Sequence, residues 1–328
     1  MPAKEKYQQL LSVVSQEDSV AILINPDPDA IGSACALSRL LWRKVKKTKI
    51  FRVSTISRPD NQALVRLLKV DLKPLRDLKD ENYTKFALVD NQPPHHQGFK
   101  KFNYAIIIDH HPVGSETRAQ FMDIRPEYGA TCTILYEYLK AAKVKPSARL
   151  ATLLFYGIKT DTKDLIVGGT QRDINAFKEL ASLVDRVLIK NIESSEMTKE
   201  TLATFKKAFE NMRFLGDKIF IFMGHVENAD QLVIIADFFV KVADINWAFV
   251  SGIVGHKLVV ILRYFGNRGD AGKKAKGLFE PLGASAGGHK SAARAEINLK
   301  ALERYEGAQK SLENFLLGIV KKGIPPKG

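Results

Sequence analysis

The stretch Tyr104-Ala-Ile-Ile-Ile-Asp-His-His111 indicates both the fold of this chain and the place of its chemistry. An apolar run ends in three side chains that can bind a metal ion or transfer a proton. In open α/β sheets, ligands bind outside the carboxyl ends of the strands. The triplet Asp109-His110-His111 is therefore predicted to lie at the carboxyl end of a buried strand, within a metal site.

Three further acidic clusters follow apolar runs in the same way. Asp27 and Asp29 follow residues 20–24, Asp90 follows residues 86–89, and Asp161 follows residues 153–158. We expect four strand ends to bring these side chains together. Each cluster alone is also typical of an Asp-rich turn or a helix N-cap, and the two histidines alone are compatible with a core pair. The run at 149–156 fits either a helix or a strand.

Alternation of apolar runs with helical patterns predicts an α/β protein. The first part is predicted to be a mostly parallel sheet with helices on both faces. A smaller C-terminal α/β domain follows, with the active site in the cleft between the two. The expected boundaries are 1–190 for the first domain, 191–215 for a helical linker and 216–328 for the second. A final helix is predicted at 292–316 and a disordered tail at 321–328.

Composition excludes several classes of protein. The 328 residues contain 45% hydrophobic residues, as expected for a globular protein with a core. Two cysteines outside any CxxC pair argue against a disulfide scaffold or a cysteine zinc site. The polar start and the lack of an apolar run of about 18 residues predict no signal peptide and no membrane span. A reducing cytoplasm is the expected location.

The chain is strongly basic, with a net charge of +14. From residue 257 onward there are 14 Lys and Arg against 6 Asp and Glu. Such a region favours an anionic substrate, with nucleic acid as one candidate and a solvated basic surface as the alternative. Short single-stranded RNA or DNA, or a small nucleotide, is therefore the expected partner.

Carboxylates combined with imidazole suit Mn²⁺ or Mg²⁺ better than the thiolate sites of zinc fingers. Two such ions, typically about 3.5–4 Å apart, can activate water and stabilise both oxygens of a phosphoryl displacement. The candidate metal ligands are Asp27, Asp29, Asp90, His110 and Asp161.

A second group of candidates binds substrate and lies in the C-terminal half. The stretch Gly287-Gly288-His289-Lys290 combines close backbone approach, a hydrogen-bond donor and a positive charge. Arg263, at the end of an apolar run, is a candidate for a bidentate phosphate contact. A glycine-rich loop with a surface histidine is the structural alternative.

The four clusters and the later Gly-Gly-His together resemble the DHH phosphoesterase family with its C-terminal DHH-associated domain. The stretches at 129–139 and 156–162 are similar to one subgroup, the nanoRNases that also hydrolyse 3′-phosphoadenosine-5′-phosphate. The resemblance covers roughly residues 18–320 and is far more specific for the superfamily than for the substrate.

The resemblance also implies a role for each residue. Asp27 would bind the first metal ion and Asp29 the second, Asp90 would bridge both, and His110 and Asp161 would complete the second site. Asp109 would orient the imidazole, and His111 would face the substrate phosphate. Arg263 and His289 would hold the far phosphate or the base.

One position departs from the family pattern. The family carries a metal-binding histidine four residues before the first aspartate, where this chain has Leu23. The first metal site is therefore expected to be the weaker one. The leading hypothesis is a metal-dependent phosphoesterase of exoribonuclease type, and the alternative is a nucleotide-binding protein with weakened or lost catalysis. A processive RecJ-like exonuclease and an inorganic pyrophosphatase are less favoured. The oligomeric state is open, with a homodimer among the alternatives.

Overall fold

The computed structural model describes residues 2–195 and 197–322 of the chain, which fall into two compact units. The first unit comprises Met1–Glu196 and the second Met197–Gly328. Within the described ranges, no helix has the length and apolarity needed to cross a bilayer. From residue 323 onward, the tail predicted to be disordered lies outside the described residues.

The first unit is built on a six-stranded sheet. Its strands are β1 (Ser19–Ile24), β2 (Lys47–Arg52), β3 (Leu72–Pro74), β4 (Lys85–Val89), β5 (Tyr104–Asp109) and β6 (Ala119–Ile124). Its helices are α1 (Ala3–Ser12), α2 (Pro28–Leu41), α3 (Pro59–Leu67), α4 (Thr131–Ala141), α5 (Ala148–Asp161), α6 (Gln171–Ala181) and α7 (Arg186–Ser194).

Every strand pairing in this sheet is parallel, in the order β3-β2-β1-β4-β5-β6. The prediction of a mostly parallel N-terminal sheet is confirmed. The strand order reverses between β1 and β4, which are neighbours in the sheet although β2 and β3 separate them in sequence. Such a reversal opens a crevice at the carboxyl ends of the two strands, where α/β proteins bind their ligands.

The two faces of the sheet are buried in different ways. Val20, Ile22 and Ile24 point into a large core shared with the α-helices, whereas Ala21 and Leu23 point into a smaller apolar cluster on the other face. Among the described residues, that smaller cluster is covered by single 3₁₀ turns and loops. Helices were expected on both faces of the sheet. The structure has α-helices on one face and 3₁₀ turns with loops on the other.

The second unit contains a mixed six-stranded sheet in the order β11-β12-β10-β9-β8-β7, with only β8 and β9 parallel. Its strands are β7 (Met212–Leu215), β8 (Lys218–His225), β9 (Trp247–Val254), β10 (Lys257–Tyr264), β11 (Ser285–Gly288) and β12 (Ala292–Asn298). Its helices are α8 (Lys199–Asn211), α9 (Ala229–Phe239), α10 (Ala271–Phe279), α11 (Leu299–Leu302), α12 (Glu306–Lys310) and α13 (Leu312–Lys322). Residues 191–215, the expected helical linker, thus include α8 and end in β7.

One predicted element of this unit is wrong. The stretch 292–316 is not a single helix, because its first seven residues form β12, which pairs with both β10 and β11. Ala293, Ala295 and Ile297 alternate into the core, which is a strand period. Alanine favours helices intrinsically, but the available sheet neighbours outweigh that preference.

Candidate metal centre

The N-terminus of α2 positions the first two carboxylates. Asp27 is the N-cap of this helix, and its Oδ1 accepts a hydrogen bond from the Ala30 backbone N–H at 2.8 Å. Asp29 lies in the first turn, where its carboxylate accepts from the backbone N–H groups of Thr131 and Cys132 at 2.7 and 2.8 Å. Asp29 is therefore held between the N-termini of α2 and α4, where the helix dipoles favour negative charge.

Asp90 follows β4 in a left-handed backbone conformation, with φ of 56°. Its N–H donates to the Ile108 carbonyl at 2.8 Å, and its Oδ1 accepts from the Thr131 hydroxyl at 2.9 Å. Aspartate and asparagine tolerate this conformation better than other residues with a Cβ. The strained turn thus directs a buried carboxylate toward the end of β5.

Asp161 does not follow a strand, as the sequence pattern had indicated. It is the last residue of α5, a helix of 14 residues. The site is therefore assembled from three strand ends and one helix end. A carboxylate at a helix C-terminus faces the negative end of the helix dipole, so a nearby cation is needed to make this position favourable.

His110 has its two ring nitrogens in different environments. Nδ1 lies 3.2 Å from the Tyr128 carbonyl oxygen, which can only accept, so Nδ1 carries a proton. Nε2 lies 2.9 Å from Asp161 Oδ2 and 3.5 Å from Asp90 Oδ1, yet it is buried and has no hydrogen-bond partner among the described residues. A backbone carbonyl that fixes Nδ1–H and leaves Nε2 free is the usual arrangement of a metal-binding histidine.

Three groups of potential ligands overlap at this end of the sheet. In each group one ligand atom from every residue lies within 4.8 Å of the others, and no cysteine takes part. The groups are Asp29 with His110 and Asp161, Asp90 with His110 and His111, and His95 with Asp109 and His111. The donor set of carboxylate oxygens and imidazole nitrogens fits Mn²⁺ or Mg²⁺. Asp27 belongs to none of these groups.

The carboxyl groups carry the electrostatic signature of a site that lacks positive charge. Burial raises the pKa of Asp27 to about 7, with a further contribution from the charge of Asp161. Burial and the neighbouring aspartates also raise the pKa of Asp29, and they raise that of Asp90 well above its usual range. Burial lowers the pKa of His110, but the close contact with Asp161 and the charges of Asp29 and Asp161 outweigh it and raise the pKa to about 9.

The metal-free protein should therefore lose stability as the pH rises. These aspartates and His110 bind protons more tightly when folded than when unfolded, so their stabilising effect is present at low pH and disappears as the pH rises through the folded pKa values. We expect the Tm in chelator to fall between pH 5.5 and about 8.5, and Mn²⁺ to suppress that fall because it replaces the protons. Thermal melts with chelator or Mn²⁺ across this range test the expectation, which a constant Tm in chelator would contradict.

Asp109 belongs to one of the ligand groups and also hydrogen-bonds to both histidines. Its Oδ1 accepts from His111 Nδ1 and from the His110 backbone N–H, both at 2.8 Å. Its Oδ2 accepts from Gln92 Nε2 at 2.7 Å. Burial by itself raises the pKa of Asp109, but these hydrogen bonds outweigh it and the pKa is lowered. Asp109 thus remains ionised and orients His111.

Gln92 and Thr131 are site residues that sequence reasoning missed. Gln92 is fully buried; its amide N–H group bonds to Asp109, and its Oε1 accepts from Gly114 N–H at 2.6 Å and from the Thr117 hydroxyl at 3.0 Å. Thr131 bonds to both Asp29 and Asp90. The only sequence signal for Gln92 was its place two residues after Asp90.

Leu23, at the position of the absent histidine, is fully buried. It packs in the smaller apolar cluster, which includes Phe51, Leu88 and Ile107. Asn25, its polar neighbour along the chain, is exposed, and its Oδ1 accepts from the Ser54 hydroxyl at 2.5 Å.

The C-terminal candidates lie in the second unit. Arg263 is the last residue but one of β10, and its Nε donates to Asp237 Oδ1 at 2.6 Å while its side chain is only 14% exposed. Gly287 and Gly288 form part of β11, and His289 and Lys290 are exposed in the following turn. At Gly288, with φ of 149°, a Cβ would lie 2.3 Å from the Ala292 carbonyl oxygen, so only glycine fits. Arg263 is thus already paired, whereas His289 and Lys290 are open to a ligand.

Comparison with known proteins gives one family match and one similar fold. Residues 19–158 match the model of the DHH family, N-terminal domain. An exopolyphosphatase-related protein from Bacteroides fragilis has a similar fold, with a TM-score of 0.70, 14% identity, and coverage of 96% of this chain and 97% of that one.

Three curated relatives are similar in sequence. The uncharacterized protein MJ1633 of Methanocaldococcus jannaschii is 35% identical, covering 89% of this chain and 61% of its own length. A probable manganese-dependent inorganic pyrophosphatase of Enterococcus faecalis is 28% identical, covering 49% of this chain and 53% of its own length. The bifunctional oligoribonuclease and PAP phosphatase NrnA of Mycoplasma genitalium is 24% identical, covering 51% and 54%. This chain therefore spans between 53% and 61% of the length of these relatives.

Proposed function

We propose that this protein hydrolyses phosphate esters of short oligonucleotides or small nucleotides, with divalent cations bound at the carboxyl edge of the first sheet. The observation that carries the proposal is the buried, unpartnered Nε2 of His110 between the carboxylates of Asp161 and Asp90. The Tyr128 carbonyl fixes a proton on Nδ1 of His110, which supports the same conclusion. The raised pKa values of the surrounding aspartates support it as well.

Each of the seven candidate residues in the first unit has a proposed role. Divalent cations would supply an activated water and stabilise charge on the phosphoryl oxygens. The stronger site would be held by Asp29, Asp90, His110 and Asp161, and the weaker one by Asp27 with Asp90. Asp109 would fix the tautomer of His111, because its carboxylate accepts the Nδ1 proton and leaves Nε2 directed at the substrate. His111, whose side chain is 42% exposed, would contact the substrate phosphate.

The nucleotide substrate is supported by the relative named as an oligoribonuclease and PAP phosphatase and by the basic C-terminal region. Candidate substrates include 3′-phosphoadenosine-5′-phosphate and linear or cyclic dinucleotides. His289 and Lys290, exposed beside the glycine-specific turn, would contact the far phosphate. Arg263 would join them only by leaving or sharing its ion pair with Asp237.

A substrate panel tests the proposal directly. RNA dimers to pentamers labelled at the 5′ end, 3′-phosphoadenosine-5′-phosphate, inorganic pyrophosphate and bis(4-nitrophenyl) phosphate would each be incubated with Mn²⁺ or Mg²⁺. We expect hydrolysis of the nucleotide esters, fastest for the shortest substrates, and none in chelator. Hydrolysis of pyrophosphate alone would contradict the nucleotide assignment and favour the chemistry named for the Enterococcus relative.

Leu23 predicts unequal metal affinities. Because leucine cannot bind a cation and here packs in an apolar cluster, one ion should bind tightly and the second only at higher concentration or with substrate. Calorimetric titration of the protein with Mn²⁺ would measure both affinities. Two equally tight sites would show that another group completes the first one.

Titration with Mn²⁺ and nucleotide, combined with the substrate panel, separates catalysis from the alternative of a nucleotide-binding protein with lost activity. Tight binding of nucleotide and Mn²⁺ without hydrolysis of any ester would favour that alternative. The retention of Asp29, Asp90, His110 and Asp161 in one place argues against complete loss. A cytoplasmic location is part of the proposal, and a homodimer is one alternative for the open oligomeric state. The free thiols of Cys35 and Cys132 are compatible with a reducing compartment.

A further inference from the structure

His95 is held in one tautomer by the turn that contains it. This 3₁₀ turn, Pro93–His95, follows Gln92, whose backbone N–H donates to His95 Nδ1 at 3.2 Å. The His95 backbone N–H donates in return to the Gln92 carbonyl at 2.9 Å. Because a backbone N–H can only donate, Nδ1 is the acceptor, and the proton of the neutral ring lies on Nε2.

The turn is also tied to the loop that carries His111. The buried Gln92 side chain donates to Asp109 and accepts from Gly114 and Thr117, so hydrogen bonds link the two loops directly. The rings of His95 and His111 lie edge to face, with 5.3 Å between centroids. A ring nitrogen of His95, a carboxylate oxygen of Asp109 and a ring nitrogen of His111 all lie within 4.8 Å of one another. His95 itself is exposed.

Two roles are open to an imidazole in this position. As a metal ligand, His95 would take the place of the histidine that is absent at position 23. Its Nε2 carries the proton, however, and Nδ1 would have to give up its bond to the Gln92 N–H. As a donor it needs no change, because Nε2–H is already fixed and free. The geometry therefore favours a donor.

We propose that His95 donates its Nε2–H to an oxygen of the phosphoryl group bound beside His111, and that it is a substrate-contacting residue, not a replacement metal ligand. This inference rests on the proposed phosphoester hydrolysis. It adds a second imidazole to the phosphate-binding face and assigns the turn after Asp90 to substrate recognition.

Two substitutions of His95 separate its two nitrogens. The amide nitrogen of His95→Gln lies near the position of Nε2, whereas the amide of His95→Asn lies near Nδ1 and keeps only the contact to the Gln92 N–H. With an RNA dimer and saturating Mn²⁺, His95→Asn should lower kcat/KM by about 10- to 100-fold, the usual range for a hydrogen bond to a charged group. His95→Gln should stay within about fivefold of wild type, and calorimetric Mn²⁺ affinity should be unchanged in both.

His96→Gln is the matched control, since this neighbouring ring is committed to structure. Its Nδ1 accepts from the Gly98 N–H at 2.9 Å, and it packs edge to face on Phe99. Its kcat/KM should equal that of wild type. Weaker Mn²⁺ binding in both His95 variants would overturn the proposal and make His95 a ligand. Equal kcat/KM in His95→Asn and wild type would show that it touches no substrate.

The test remains decisive if the wild type hydrolyses none of the esters. In that case the proposed function fails, and binding of inorganic phosphate to the Mn²⁺-loaded protein becomes the measurement. Phosphate affinity lowered in His95→Asn but retained in His95→Gln would still support the donor role. Equal phosphate affinity in wild type and both variants would refute it.

Discussion

Replacing Asp90 by asparagine is expected to abolish hydrolysis and, at the same time, to stabilise the metal-free protein at pH 8. Asp90 lies against Asp27, Asp29 and Asp161, and burial together with these charges raises its pKa well above the usual range. Removing its charge relieves this repulsion, and asparagine tolerates the left-handed backbone as well as aspartate does. The activity loss should exceed about 100-fold, since even outer partners of metal ligands typically cost 10–100-fold.

The measurement pairs the turnover of an RNA dimer in Mn²⁺ with the Tm in chelator at pH 8. The control is Asp123→Asn, which removes one charge from another buried aspartate. Arg125 and Tyr138 hydrogen-bond to Asp123 and, together with Lys6, lower its pKa against the effect of burial. Asp123→Asn should therefore lower the Tm, opposite in sign to Asp90→Asn. A lower Tm for Asp90→Asn would show that the cluster carries no excess negative charge.

The second large effect is expected for Asp109→Asn. The oxygen of the new asparagine would still accept a hydrogen bond on one side. On the other side its NH₂ group would replace the carboxylate oxygen that now accepts from Gln92 Nε2 at 2.7 Å. Gln92 cannot turn over, because its own oxygen accepts from Gly114 and Thr117. Two donors would then face each other in a fully buried place, at a cost of about 1–3 kcal/mol of folding free energy.

Catalysis should fall as well, since a neutral amide oxygen would hold the His111 ring more weakly than the carboxylate does. We expect kcat to drop by about 10–100-fold, with a smaller change in Mn²⁺ affinity because Asp109 acts through the histidines. Gln92→Glu added to Asp109→Asn should not restore the Tm, because its carboxylate would face the His111 and Pro112 carbonyl oxygens that now accept from the Gln92 amide. An Asp109→Asn protein with normal Tm and normal kcat would exclude the positioning role.

The pattern of apolar runs was sufficient to predict β1, β4 and β5 of the first sheet, because a buried parallel strand requires consecutive apolar residues. It was not sufficient for Asp161 or for residues 292–298. The run before Asp161 has the composition of a strand or a buried helix, and only its packing against α2 and α6 decides for the helix. Residues 292–298 contain three alanines and become a strand because β10 and β11 lie on either side.

The sequence by itself determined the resemblance to the DHH phosphoesterase family, the central parallel strands and the types of side chain in the site, because these depend on short patterns along the chain. The tertiary structure alone decided which atoms are free. It buries Nε2 of His110 between two carboxylates, pairs Arg263 with Asp237, and fixes the proton of His95 through the Gln92 N–H. Contacts between residues far apart in sequence set the first two states, and the geometry of the 3₁₀ turn Pro93–His95 sets the third, which no apolar pattern predicts.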